Sequence, residues 1–302
     1  MFRDLLDFLA SLFAPPPNAP ARTTRIVLAV VCLGILGLAV TPITVTAFSC
    51  LIGLFSSDKE LPMTLPPEAL PPQGPAGGWP HTGLLHGITG TYDRASLQRG
   101  YQVYAQVCAT CHSLKLLSYR DLSQLGFSEA EVKAIASNFQ VDDFNDNGEP
   151  VKRQALGSDN FVSPFPNDKA ARAANNGALP PDLSLIVKAR EGHEDYVYSI
   201  LTGFGQSAPA NETMQNGMNY NPYFNGHQIA MPPPLHEGAV SFADGTPATV
   251  EQMAKDVVEY LAWASEPKLE ERHQTGIKAV LFLVVFAYVM YRVKRKVWKK
   301  LH

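Results

Sequence analysis

Val107-Cys108-Ala109-Thr110-Cys111-His112 closes the stretch 92–112, in which Leu97, Tyr101, Tyr104, Cys108 and Cys111 recur at spacings of three and four. That period belongs to one face of an α-helix, and Asp93 stands where an N-cap residue accepts the first free amides. The sequence thus predicts a helix over 92–112 with a Cys-x-x-Cys-His unit at its end. Such a unit has a specific chemical reading. Two thiols one turn apart reach the two vinyl groups on one edge of a porphyrin as thioethers, and the next imidazole then lies under the iron. Cys108, Cys111 and His112 supply these groups for one covalently bound haem c.

Two other chemistries use a cysteine pair. A thioredoxin-like dithiol expects the pair after a strand, opening a helix, whereas here it closes one. A zinc site needs four ligands, and the only other cysteines, Cys32 and Cys50, lie in an apolar stretch near the N-terminus. The same count excludes a disulfide framework.

Outward from the motif, charge is unevenly distributed. Residues 56–276 carry 26 acidic and 15 basic side chains, a net of −11, while 277–302 carry seven Lys and Arg and no acid. An acidic body on a basic tail argues against nucleic acid as partner and for a cationic one. Ahead of the body, 26–55 is free of charge and follows Arg22 and Arg25. It is long enough to span a bilayer. We read 1–60 either as an export signal cut near Val45-Thr46-Ala47 or as an uncut anchor. Residues 61–91, with seven prolines between 61 and 80, read as an extended linker that does not pack.

We expect the haem domain over 92–266. Within it, 142–170 is rich in Asp, Asn, Gly and Pro and reads as a long surface loop, followed by short helices at 168–175 and 194–202. Thr249-Val-Glu-Gln252 has the form of a capping box, and Val250, Met253, Val257, Leu261 and Ala264 follow at helical period. Residues 267–302 resume as helix. The apolar run 277–291 is short for a span, but Lys278 and Arg292 can snorkel, which extends it to about 17 residues or more. A transmembrane helix at about 277–292 followed by Arg292, Lys294, Arg295, Lys296, Lys299 and Lys300 predicts a cytoplasmic C-terminus and a body on the periplasmic side. These elements make the fold class mainly α with long loops and one C-terminal transmembrane helix, and the haem motif marks 92–266 as a c-type haem domain.

An electron-transfer haem takes a sixth ligand, usually His or Met, and Met raises the potential. Met253 lies on a core stripe and Met63 in the linker. Met231 is followed by three prolines, which fix the backbone as a ligand loop requires; Met214 and Met218 compete with it. His81, His86, His193, His227, His236 and His273 leave a bis-histidine site open.

Several further segments resemble cytochrome c1, the haem subunit of the ubiquinol–cytochrome c reductase (cytochrome bc1) complex. They are Leu97-Gln-Arg-Gly100, the Cys108–His112 unit, Ala173-Ala-Asn-Asn-Gly-Ala-Leu-Pro-Pro-Asp-Leu-Ser184, Lys188-Ala-Arg190, Glu194-Asp-Tyr196, Asn221-Pro-Tyr-Phe224, Ile229-Ala-Met-Pro-Pro-Pro234 and Trp263-Ala-Ser-Glu-Pro267. The likeness runs from about residue 92 to the C-terminus. It implies Met231 as the sixth ligand, Arg190 near a haem propionate, Tyr196 lining the pocket and Pro181 near the ring. Alone, Arg190 reads as a surface arginine and Tyr196 as a core aromatic.

The resemblance also implies function and partners. A bacterial inner-membrane protein (or its mitochondrial equivalent) would pass single electrons from a Rieske iron–sulfur protein to a soluble cytochrome c. Cytochrome b would oxidise the quinol, and the complex would be dimeric. Glu129, Glu131, Asp142, Asp143, Asp146 and Glu149 concentrate acidic charge for a basic cytochrome to meet, although charge in loops is more often simply solvated. Two departures stand out: segment 1–60 has no counterpart, and 203–230 lacks the cysteine pair of some bacterial relatives.

Overall fold

The computed structural model describes residues 68–82, 90–210 and 212–299. The expected export or anchor segment 1–60 lies outside them. Helix α1, Arg94–Gln106, begins where the Asp93 side chain accepts the Ala95 amide at 3.0 Å. It stops short of the predicted end. The chain tightens into a 3-10 turn at Cys108–Thr110, whose Cys108 carbonyl accepts the Cys111 and His112 amides at 3.1 and 2.9 Å. The periodicity carried through this change because a 3-10 turn also repeats every three residues.

Two short elements follow: a 3-10 segment, Tyr119–Leu125, and α2, Glu129–Ser137, opened by a capping box between Ser128 and Glu131. The expected surface loop 142–170 instead begins as a hairpin. Strand β1, Gln140–Phe144, pairs antiparallel with β2, Pro150–Gln154, in the register Gln140↔Gln154 to Phe144↔Pro150. Asn145 closes the turn, its Oδ1 accepting the Asn147 and Glu149 amides, and Gly148 takes a φ of 79°. Neither strand has a buried face. No alternating apolar pattern is therefore needed, and none marks the hairpin in the sequence.

Helices α3, Asp168–Ala174, and α4, His193–Thr202, fall where the sequence predicts them. A two-residue ladder, β3 Asn219–Tyr220 with β4 Gln228–Ile229, precedes Met231. Helix α5, Val250–Ser265, is capped by Thr249, whose hydroxyl accepts the Gln252 amide at 3.1 Å. The reciprocal half of the capping box is not made, because Gln252 donates to Asp256 at 2.9 Å instead.

The core lies between α1 and α5. Leu97, Val103 and Tyr104 from the first, and Met253, Val257, Tyr260, Leu261 and Trp263 from the second, are buried. Close approach is possible at Gly100, where a Cβ would overlap the Asp256 carbonyl oxygen and the Tyr260 side chain. The buried Asp256 carboxylate is fully answered by Ser96 at 2.6 Å, by Arg99 at 2.8 and 3.0 Å and by Gln252. A buried charge needs such saturation to be tolerated.

The expectation of an unpacked linker over 61–91 does not hold for its described part. Trp79 and His81 are buried, and 68–82 lies across the body as a strap. Trp79 donates its indole N–H to Asp195 at 2.7 Å. His81 meets Glu259 at 2.6 Å and Glu194 at 3.0 Å. Proline and glycine mark an extended backbone, but the side chains between them decide whether it packs.

Leu65–Val280 form one compact unit, and the chain from Leu281 belongs to another. Helix α6 runs from Leu269 to Trp298 and contains the expected span 277–292. Its most apolar window has a mean hydropathy of 1.8 and no buried residue, so by length and composition it can cross a membrane.

Candidate functional site

Cys108 opens the 3-10 turn and Cys111 caps it, donating its amide to the Cys108 carbonyl at 3.1 Å. Both are free and half-buried. Burial, with a smaller contribution from Cys111, pushes the Cys108 thiol up to about 12. A reactive dithiol needs the opposite shift. Among the described residues, no three of His, Cys, Asp and Glu gather where they could hold a metal ion. Neither competing reading is supported.

His112 follows directly. Its Nδ1 lies 2.8 Å from the Pro181 carbonyl oxygen, so this nitrogen carries the hydrogen and donates it. The lone pair is left on Nε2. Burial lowers the affinity of the ring for a proton, against the smaller upward pull of Pro181 and Asp182. A neutral imidazole with an oriented, available nitrogen is the form that binds a metal.

A staple between residues 112–116 and 181–184 fixes this geometry. Asp182 accepts from the Ser113 hydroxyl at 2.7 Å and from the Lys115 and Ser184 amides at 2.9 Å each. Leu183 donates its amide to the Ser113 carbonyl at 2.9 Å, and Leu116 to the Ser184 hydroxyl at 3.1 Å. Burial would raise the Asp182 pKa, but these donors outweigh it and hold the carboxyl below its ordinary value. Tyr104 on α1 donates to the His112 carbonyl at 3.1 Å. Sequence reasoning did not assign Asp182 a role. Its place one residue after Pro181, in a Pro-Pro-Asp-Leu-Ser run, was the available signal.

Pro181 is exposed, and its contact with His112 is made by its carbonyl. Arg190 is exposed as well, with one hydrogen bond, to the Ala189 carbonyl at 3.2 Å. Tyr196, in the first turns of α4, is half-buried. Burial raises its pKa, against a smaller downward pull from the Arg190 charge.

Met231 is half-buried, and its carbonyl accepts from Asn219 at 3.2 Å. Among the described residues, no hydrogen bond joins its segment to the Cys108–His112 turn, so the two are carried on separately anchored pieces of chain. Of its rivals, Met253 is in the core as expected and Met218 is exposed. The bis-histidine alternative loses His81 and His227, whose nitrogens are all engaged. Two unpaired thiols at the two ends of one turn, an oriented imidazole and a thioether on a proline-fixed loop fit a c-type haem.

The acidic group around the hairpin is less free than the sequence implies. Glu131 is consumed by its capping box with Ser128, and Asp143 is held by Arg153. Asp142 lies 3.6 Å from Lys152 with both side chains exposed, and Glu149 accepts from Asn145 at 2.8 Å. Glu129 and Asp146 are exposed.

Comparison with known proteins bears on this site. A model of the family described as Cytochrome C1 matches residues 81–301. The chain is 51% identical over 210 residues to a potato (Solanum tuberosum) protein named cytochrome c1-2, heme protein, mitochondrial, covering 69% of this chain and 79% of the other. It is 48% identical over 225 residues to the cytochrome c1 heme protein of Kluyveromyces lactis, covering 74% and 76%. A Bradyrhizobium diazoefficiens protein named cytochrome b/c1 is 43% identical over 250 residues, which cover 76% of this chain and 36% of that protein.

Proposed function

The chain belongs to the cytochrome c1 family, and from that footing we propose that it relays single electrons from a Rieske iron–sulfur subunit to a soluble cytochrome c. Its relatives are haem proteins, and we assign this chain one haem c, joined by thioethers to Cys108 and Cys111. When bound, the haem supplies a one-electron iron couple. His112 and Met231 would ligate its iron, and a thioether there would supply a higher potential than a second imidazole. The observation that carries the reading is the bond from His112 Nδ1 to the Pro181 carbonyl, which leaves Nε2 available beside two free thiols.

The other residues position and screen. Pro181 and Asp182 hold the imidazole in one tautomer and one orientation. Arg190, with little to engage it locally, would meet a haem propionate, and Tyr196 would line the ring's surroundings. Quinol chemistry belongs to a cytochrome b partner, for which the joint name of the Bradyrhizobium relative is support. Helix α6 anchors the chain, with its basic end on the cytoplasmic (or matrix) side and the acidic body on the other. The exposed Asp142, Asp146 and Glu129 steer a basic cytochrome toward that body.

Isolation of the chain from detergent-solubilised membranes tests this. We expect it to copurify with a cytochrome b and a Rieske protein, to be reduced on addition of quinol, and to reoxidise on addition of ferricytochrome c. A chain that purifies alone, or a haem that quinol does not reduce in the intact complex, would overturn the assignment.

A further inference from the structure

We propose that the strap 68–82 is a positioning element for Met231, with His227 as the residue that couples the two. The proposal rests on the assignment of Met231 as an axial ligand. It adds a role for a segment that no ligand argument requires.

The strap is fastened along its whole length. At its C-terminal end His81 sits between Glu194 on α4 and Glu259 on α5, and Trp79 donates to Asp195. In the middle, Gln73 and Ser199 bond twice, the Gln73 amide to the hydroxyl at 2.7 Å and the hydroxyl to the Gln73 carbonyl at 3.1 Å. Gly74 passes so close to Asp195 that a Cβ there would overlap its carboxylate. At its start, the Leu70 amide donates to the Pro222 carbonyl at 2.9 Å, and the Glu68 carbonyl lies 3.0 Å from His227 Nε2.

Those last two contacts fall on the loop that ends at Met231. Asn221 receives its turn from His227, whose carbonyl accepts the Asn221 amide at 2.9 Å, and Tyr220 pairs with Gln228 next door. Asn219, one register step on, pairs with Ile229 and donates its side chain to the Met231 carbonyl. His227 therefore stands where the strap meets the ligand loop. Its backbone is held at a φ of 56°, a left-handed conformation uncommon for a non-glycine residue. Its ring is held at both nitrogens: Nε2–H donates to Glu68, and Nδ1 lies 2.8 Å from the largely buried Glu212.

The alternative is that the loop holds itself. Its own ladder, however, is two residues long, and an isolated ladder of that size has little independent stability. The loop adds ties of its own: the Gln228 side chain accepts the Gln215 amide at 2.8 Å and donates to the Thr213 carbonyl at 3.1 Å, and the buried Asn221 donates to the Ile200 carbonyl of α4 at 2.8 Å. The strap, anchored on two helices, supplies the rest.

The test uses the full chain in its native complex and three variants, His227→Ala, His227→Gln and the remote Trp79→Phe. The readouts are the weak red absorption of ferric Met-ligated haem, the midpoint potential and amide exchange over 219–231. With His227→Ala we expect partial loss of the red band, a lower potential and about tenfold faster exchange, the loss of one or two hydrogen bonds. His227→Gln, which restores a donor to the Glu68 carbonyl, should recover part of each, and Trp79→Phe should shift them in the same direction by releasing the strap at its C-terminal end. Haem attachment should be unchanged in all three. If His227→Ala and Trp79→Phe leave band, potential and exchange at parent values, the strap does not position the loop. Met231→Leu run alongside separates the two ideas: if that variant keeps the parental band, the ligand assignment itself fails, whatever His227 does.

Discussion

Raising the pH from 6.5 to 9 should loosen this protein at one defined place, His81. The ring is 4% exposed, with Nδ1 2.6 Å from Glu259 and Nε2 3.0 Å from Glu194. Burial alone would lower its pKa, but the hydrogen bonds and charges of the two carboxylates outweigh it and raise the pKa from 6.5 to about 9. The facing Glu194 is correspondingly held below its ordinary value. The aromatic rings of Trp79 and Tyr92, 6.2 and 5.3 Å away, complete the enclosure. A group whose pKa is raised by folding stabilises fully below its unfolded value, and that contribution fades as the pH climbs through the folded one. The window is therefore 6.5 to 9. A shift of this size corresponds to about 3 kcal/mol, which for a body of this length is roughly 6–12 °C in thermal midpoint. Far-ultraviolet circular dichroism of the detergent-solubilised full chain, melted at one scan rate across that window, reads it directly. His81→Gln keeps the size and removes the titration, so its melting point should fall well below the parent's at pH 6.5 and approach it near pH 9. A parent whose melting point is flat across the window, or a His81→Gln protein with the parent's slope, would refute the reasoning.

Two further outcomes follow from the packing and the charge. Gly100→Ala drives a methyl into the Asp256 carbonyl and Tyr260 where α1 and α5 cross, so we expect a loss of about 1–3 kcal/mol, measured by denaturant titration; an unchanged midpoint would mean the helices can part without cost. Joint reversal of Asp142 and Asp146 to Lys should slow association with a basic cytochrome c and flatten its salt dependence in stopped-flow mixing, whereas a parental rate at low salt would move the docking face elsewhere.

The elements most legible in the sequence were the two helices with both a cap and an apolar period. Asp93 and Thr249 announce the starts of α1 and α5, and the apolar stripe from Val250 to Ala264 still shows at helical period although α5 is buried almost all round from Met253 to Ala264. The hairpin 140–154 was illegible because neither of its faces is buried. The strap was misread because its prolines and glycines describe backbone freedom, whereas Trp79 and His81, which decide its packing, find partners more than a hundred residues away. The candidate site divides the same way. Cys108, Cys111 and His112 are adjacent in the chain and carry their chemistry in their spacing. Asp182 and the Pro181 carbonyl act on His112 from 69 residues away, through contacts only the fold creates.

Most direct of all is the mass of the peptide that contains Val107 to His112, released by proteolysis of the chain purified from membranes under denaturing conditions. Covalent attachment at Cys108 and Cys111 predicts one peptide carrying the mass of a single haem, with neither thiol open to alkylation. A bare peptide that takes up two alkyl groups, with the haem extracted or never present, would contradict it.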